Sequence, residues 1–178
     1  TSCASITPQR LPAFADALLM PYSLAALPEI DRVVSTNSSM HDDDLLSGTT
    51  YQVWRLSDLK LLKTAYFDPG EQGYAHISPE EARVGPDGSV FVQSLGCGIE
   101  RITGIDTDTP VAKLVHTFPG NWCGVPTIVD RFLVQSVPAM HGFIVMDLAD
   151  PAHPVEVSRL KIGVDFDPRW SAWDPAIQ

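Results

Sequence analysis

Asp31-Arg-Val-Val-Ser-Thr-Asn37 recurs in similar form twice further along the chain, as Gly88-Ser-Val-Phe-Val-Gln-Ser94 and as Asp130-Arg-Phe-Leu-Val-Gln-Ser136. Each stretch begins with a residue that favours turns and continues with apolar and β-branched residues, which favour strands. The pattern therefore predicts a strand that follows a tight turn. Its return in the same form indicates a structural repeat.

Three further strands flank each copy of this stretch. The first strand of each unit is predicted at residues 24–30, 82–87 and 125–129, the third at 51–58, 102–108 and 143–151, and the fourth at 59–64, 111–117 and 155–160. Four short antiparallel strands in a repeat of about 40–50 residues are typical of a β-propeller, in which each four-stranded sheet is one blade.

We therefore predict an all-β fold, a β-propeller of four-stranded antiparallel blades. The blades are expected at residues 20–68, 79–118 and 122–162, with the start of another at 168–178, so that residues 1–178 form a single partial domain. A closed propeller needs more blades than this, and the first residue is Thr1 rather than Met. We expect the remaining blades to lie outside this chain. A plain antiparallel sandwich is the alternative.

Composition narrows the classes of partner. The chain has 178 residues, of which 44% are hydrophobic and 19% charged, and 22 acidic residues against 12 basic ones give a net charge of -10. An acidic surface repels phosphate groups, so neither a nucleic acid nor an anionic membrane surface is an expected partner. No apolar run reaches the roughly 18 residues of a membrane span, and none is expected. The expected partner is a small-molecule ligand, and the cellular compartment stays open.

Several stretches resemble bacterial proteins related to the selenium-binding protein family. They are residues 20–42, Val53-Trp-Arg-Leu-Ser-Asp-Leu-Lys60, Cys123-Gly-Val-Pro126 and Met146-Asp-Leu-Ala-Asp-Pro-Ala-His-Pro154. The resemblance covers roughly residues 20 to 175. It implies a seven-bladed propeller and, in the methanethiol oxidases of that family, an oxidoreductase that uses copper. Where relatives often carry Pro-His, this chain has Pro21-Tyr22 and Pro168-Arg169, so two metal-binding histidines are missing.

Propeller topology sorts the residues that can carry chemistry. The loops between strands two and three of a blade and the loops between successive blades lie on the same face. On this prediction one face receives five candidate metal or ligand residues, which are His41, His76, Cys97, Cys123 and His141. His116, in a fourth strand, and His153, on the opposite face, are set aside as structural or exposed.

His41, followed by Asp42, is the strongest single candidate. A neutral imidazole is a good ligand for copper or zinc, and a neighbouring carboxylate can orient the ring or join the metal. A solvated acidic loop over Asp42-Asp43-Asp44 is the alternative. His76 is a second loop histidine, with Glu80 or Glu81 as a base or supporting group, and Arg169 is a candidate for binding the anionic group of a substrate.

Cys97 and Cys123 are expected on adjacent blades of this face. Three arrangements are open: a disulfide, a shared site for a soft metal such as Cu(I) or zinc, or two buried free thiols.

Two functions from different classes follow. The first is a copper-dependent oxidoreductase acting on a small sulfur compound such as methanethiol. The second is a non-catalytic propeller that binds a ligand or a partner protein. A lactonase-like hydrolase is a weaker third alternative.

Overall fold

The computed structural model describes residues 20–38, 50–67, 79–94, 97–120 and 123–163. Within these ranges the chain forms three four-stranded antiparallel sheets, each with its strands in sequence order. Blade 1 consists of β1 Met20–Leu27, β2 Arg32–Ser38, β3 Thr50–Arg55 and β4 Leu61–Tyr66. Blade 2 consists of β5 Pro79–Val84, β6 Val90–Ser94, β7 Gly98–Thr103 and β8 Val111–Thr117. Blade 3 consists of β9 Thr127–Val129, β10 Phe132–Val137, β11 Gly142–Asp147 and β12 Val155–Lys161.

The first strands of the three blades are neighbours. β5 lies beside β1 and β2 of blade 1, and it also contacts β9 of blade 3. Sheets that meet through their first strands, with the later strands further out, have the arrangement of propeller blades. The predicted all-β propeller of four-stranded antiparallel blades is confirmed, and the sandwich is excluded. The start of another blade at 168–178 lies outside the described residues. Within the described ranges no helix is long and apolar enough to cross a membrane.

Turn residues explain where the second strands begin. Asp31, Gly88 and Asp130 all have a positive φ, of 55°, 77° and 52°. Glycine adopts this left-handed conformation freely, and aspartate tolerates it better than most residues. The turn residues that open the repeated stretch therefore occur where the backbone requires them.

Two apolar cores hold the blades together, and strand alternation divides the residues between them. Val90 and Val92 of β6 face blade 1, whereas Phe91 between them faces blade 3. In the first core Tyr51 packs against Phe67 with a ring-centroid distance of 5.0 Å. Burial raises the pKa of Tyr51 to about 12, so its hydroxyl stays protonated. A blade with two apolar faces is buried only between neighbours, and this keeps the repeats together.

The third repeat is offset by one residue from the sequence alignment. Aligning Asp31, Gly88 and Asp130 makes Val34, Phe91 and Leu133 equivalent. Val34 and Phe91 each face the following blade, but Leu133 faces the preceding one. A two-residue turn joins Val129 to Phe132 in blade 3, whereas the other blades have longer turns at this point. Because successive side chains of a strand point to opposite faces, an offset of one residue reverses the direction of every side chain in β10.

Two strands of blade 2 begin earlier than predicted. β7 starts at Gly98 rather than Ile102, directly after Cys97, whose φ of 60° is typical of a turn. β5 starts at Pro79 rather than Ala82, so that Glu80 and Glu81 belong to a strand and not to a loop.

The outward faces of the first and last blades differ in chemistry. The outward side of blade 1 carries four buried polar residues, Ser35, Asn37, Thr50 and Gln52. We call these residues the polar face of blade 1. The Ser35 hydroxyl donates to Gln52 at 3.5 Å, the Asn37 amide donates to Thr50 at 3.5 Å, and the Trp54 indole donates to Ser35 at 3.1 Å.

The corresponding surface of blade 3 carries large hydrophobic residues. Phe143 and Val145 alternate with the core residues of β11, so they point away from blade 2 and are only half-buried. Phe132 and Val134 of β10 lie on the same side, and Leu160, opposite Phe143 in β12, is 55% exposed. These five residues form the apolar face of blade 3.

Candidate functional site

A disulfide joins Cys97 to Cys123. Cys97 immediately precedes β7, and Cys123 lies in the connection from blade 2 to blade 3. The two Cα atoms are 5.0 Å apart, and both side chains are fully buried. Of the three arrangements left open by the sequence, the structure contains the disulfide. As oxidised residues, the two cysteines offer no thiolate to a metal.

Backbone contacts hold the surrounding connection in place. The amide of Phe118 donates to the carbonyl of Cys97 at 2.8 Å, and the amide of Gly124 donates to the carbonyl of Ser136 at 3.1 Å. The side-chain amide of Gln135 also donates to the carbonyl of Gly124. Cys97, Phe118 and residues 123–126 therefore meet on one side of the sheets. We call this side the disulfide face.

His141 lies on the same face, in the loop between β10 and β11. A short 3-10 turn over Pro138–Met140 ends at His141, whose φ is 53°. The His141 amide donates to the Pro138 carbonyl at 2.9 Å, and its carbonyl accepts from the Ile162 amide at 2.9 Å. The half-buried ring is thus carried by a backbone fixed on both sides. Its role as a ligand stays a prediction.

Four of the predicted site residues lie outside the described residues, and their roles also stay predictions. They are His41, Asp42, His76 and Arg169. Glu81, expected as a loop base beside His76, is described and has other partners. Its carboxylate accepts a hydrogen bond from Ser23 at 3.3 Å and pairs with Arg83 at 3.0 Å. Glu81 therefore lies in a strand with partners of its own, and its role as a base or supporting group beside His76 stays a prediction.

The described residues do not by themselves fit a copper site. In this part of the chain no three His, Cys, Asp or Glu side chains lie close enough together to hold a metal ion. The disulfide occupies the two soft candidate ligands, which leaves His141 as the described candidate. A copper centre would need further ligands from the remaining candidates or from outside this chain.

Sequence reasoning missed the surroundings of His116. Its ring contacts the Phe118 ring edge-on, with 4.6 Å between the ring centroids. The backbone hydrogen bond from Phe118 to Cys97 lies next to this contact. Burial lowers the pKa of His116, and the charge of Glu156 opposes this only in part. A neutral imidazole therefore lies near the disulfide face at pH 7. The fourth strand was recognised in the sequence, but the direction of its side chains was not.

The opposite face carries a cleft of about 540 Å³ between blades 1 and 2. The Asp87–Arg101 ion pair lies in its wall, with Glu29 and Asp106 beside apolar residues that include Leu27 and Ile105. Partial burial alone would raise the pKa of Asp87. Hydrogen bonds from Ser89 and Arg101 outweigh this effect and lower it.

Replacing Asp87 with asparagine tests this ion pair. The folded state lowers the pKa of Asp87 below its ordinary value of 3.8, so the ion pair stabilises the protein fully at pH values above 3.8. This contribution is lost as the pH falls through the lowered pKa of the folded state. Asp87→Asn should lower the free energy of unfolding at pH 7 by about 0.5–1 kcal/mol, since the pair is partly exposed to solvent. The deficit should shrink in urea titrations toward pH 3. Asp106→Asn, at an exposed position in the same cleft, is the control.

Comparison with known proteins identifies the fold and no family. No family model matches the sequence, and no curated protein matches it. Among solved structures, the chain is similar to hydrazine synthase of Kuenenia stuttgartiensis, with a TM-score of 0.60 and 14% identity over 91% of this chain and 41% of that one. It is also similar to a hypothetical selenium-binding protein from Sulfolobus tokodaii, with a TM-score of 0.61 and 15% identity over 81% and 39%.

A third similar structure is the β-propeller domain of Cps50 (Swd1) from Myceliophteria thermophila. Its TM-score is 0.55 at 11% identity, over 86% of this chain and 48% of that one. At such identities the likeness concerns the fold alone. The chain spans less than half the length of each of these three structures. Together with the three sheets and their order, the comparisons identify this chain as part of a β-propeller.

Proposed function

We propose that this chain is a non-catalytic part of a propeller that binds a small-molecule ligand at the disulfide face. The observation that carries the proposal is the disulfide itself, because it fixes a strand 2–3 turn of blade 2 to the connection between blades. Loops held by a rigid scaffold are the usual place for binding residues. The net charge of -10 favours neutral or cationic ligands over polyanions.

His141 provides the test of this proposal. We expect a compound from a panel of small neutral, cationic and thiol ligands to raise the thermal midpoint of the wild type, and His141→Ala to reduce that shift. A ligand at 100 times its Kd adds about 2.7 kcal/mol to stability, which a thermal scan detects. His153→Ala is the matched control, because His153 is exposed and pairs with Asp150 away from this face. Equal ligand shifts in wild type and His141→Ala would contradict the assignment.

A copper-dependent oxidase acting on a small thiol is the second candidate. It is supported by the resemblance to the selenium-binding protein family and by the position of His141 on the face predicted to receive His41 and His76. We expect a copper-binding chain to retain one copper per chain after dialysis and to consume oxygen when methanethiol is added. If the protein retains no copper and consumes no oxygen after copper is added, the oxidase is contradicted and ligand binding is the remaining proposal.

A further inference from the structure

Two glutamines point into the interface between blades 2 and 3 from opposite sides. Gln93 of β6 lies on the same face as Phe91, and Gln135 of β10 lies on the same face as Leu133 and Val137. All three of these apolar residues belong to the core between blades 2 and 3. Both glutamines are completely buried, with 0% exposure.

The similar Val-Gln-Ser stretches conceal this convergence. If the repeats were in register, Gln93 and Gln135 would face the same way around the propeller and would lie in different interfaces. The one-residue offset of blade 3 turns Gln135 back toward blade 2. The interface between blades 2 and 3 therefore receives an amide from each side.

Hydrogen bonds fix the orientation of both amides. Gln93 Nε2 donates to the carbonyl of Ser94 at 2.8 Å, and Gln135 Nε2 donates to the carbonyl of Ser136 at 3.0 Å and to that of Gly124. Rotating either amide by 180° would place its oxygen against a carbonyl oxygen, which is repulsive. Each Oε1 atom must therefore point away from these carbonyls.

Within the described part of the chain, neither Oε1 atom has a hydrogen-bond donor. Gln93 Oε1 and Gln135 Oε1 are both among the buried, unpartnered side-chain atoms of the described residues. Leaving a buried acceptor unpartnered costs about 1–3 kcal/mol. Buried groups of this kind are commonly satisfied by an internal water molecule.

We propose that the interface between blades 2 and 3 contains a buried water site in which one water molecule donates to both Gln93 Oε1 and Gln135 Oε1. A water molecule has two O–H groups, and the interface presents two acceptors. The Cys97–Cys123 disulfide closes the site on the loop side, since Gln135 bonds to Gly124, the residue after Cys123. Phe91 shares the strand face of Gln93, Ile144 is paired with Gln135 across β10 and β11, and both are 0% exposed.

A high-resolution crystal structure of the oxidised wild-type chain is the direct test. We expect electron density for one water molecule within about 3.2 Å of both Oε1 atoms. A dry interface, two separate waters that each contact one glutamine, or amides that bond to each other would overturn the proposal. This test needs no variant and is independent of whether substitutions fold.

A double-mutant cycle gives a second measurement. If both glutamines bind one water, Gln93→Leu and Gln135→Leu remove the same interaction. The unfolding equilibrium constant of the double variant should then be about tenfold smaller than the product of the two single effects predicts. Gln93→Leu combined with Gln52→Leu is the control pair, because the Gln52 amide already bonds to Ser35 and Thr64 in blade 1. Additive effects for Gln93 and Gln135 would contradict a shared water.

Discussion

Replacing Cys97 and Cys123 together with alanine is expected to lower the free energy of unfolding by about 3.5 kcal/mol, the entropy cost of closing a loop of this size. The disulfide closes a loop of 26 residues in the unfolded chain, which restricts that state far more than the folded one. It also holds the connection between blades 2 and 3 against the turn of blade 2. Urea titration monitored by tryptophan fluorescence measures the change.

A reducing agent separates the disulfide from the side chains themselves. Reduced wild-type chain should lose nearly as much stability as the double variant, and the double variant should not respond to the reductant. If oxidised wild type and the double variant unfold at the same urea concentration, the disulfide does not stabilise the fold. Because such buried bridges form in oxidising surroundings, we also expect a higher folded yield when the chain is expressed in an oxidising compartment.

Gly142→Ala is expected to be equally damaging, at about 3 kcal/mol or more. Gly142 is the first residue of β11 and pairs with Lys161 of β12. A Cβ atom at this position would lie 1.8 Å from the carbonyl oxygen of Leu160 and 2.9 Å from its carbonyl carbon. Since both atoms belong to the backbone, no side-chain rotation relieves the clash. The strands must separate, and circular dichroism with urea titration will show the loss.

Gly88→Ala is the matched control for this substitution. Gly88 has a positive φ of 77°, but a Cβ atom there would meet nothing within 4 Å. Its replacement should cost about 1 kcal/mol, the strain of a left-handed alanine. If Gly142→Ala proved no more harmful than Gly88→Ala, close approach of β12 would not be the reason for glycine at position 142.

The blade architecture was predictable because its signals are local. Turn residues such as Asp31 and Gly88 and the strand-forming runs after them are visible within a few residues of sequence. The propeller followed from the return of that pattern. The direction of each side chain was less accessible. Val-Gln-Ser occurs in both β6 and β10, so the sequence aligns Gln93 with Gln135, whereas the length of the turn before Phe132 decides the actual register.

The site was predictable only in part. Topology correctly brought Cys97 near Cys123, but the choice among disulfide, metal site and free thiols depends on the distance between sulfur atoms, which no spacing encodes. Gln93, Gln135 and His116 were missed, because nothing local distinguishes a buried amide or imidazole from a solvated one. The structure does not describe His41, Asp42, His76 and Arg169, and the metal or ligand roles of these residues remain predictions.

The unlike outer surfaces of blades 1 and 3 bear on how copies of this chain can assemble. Head-to-tail stacking would press Phe132, Phe143 and Leu160 of one copy toward the side of blade 1 that carries Gln52 in the next. The polar side chains there are already buried and hydrogen-bonded to one another, so they offer an apolar neighbour little hydrocarbon to cover. Among the described strands, an apolar neighbour therefore matches the outward face of blade 3 better than that of blade 1.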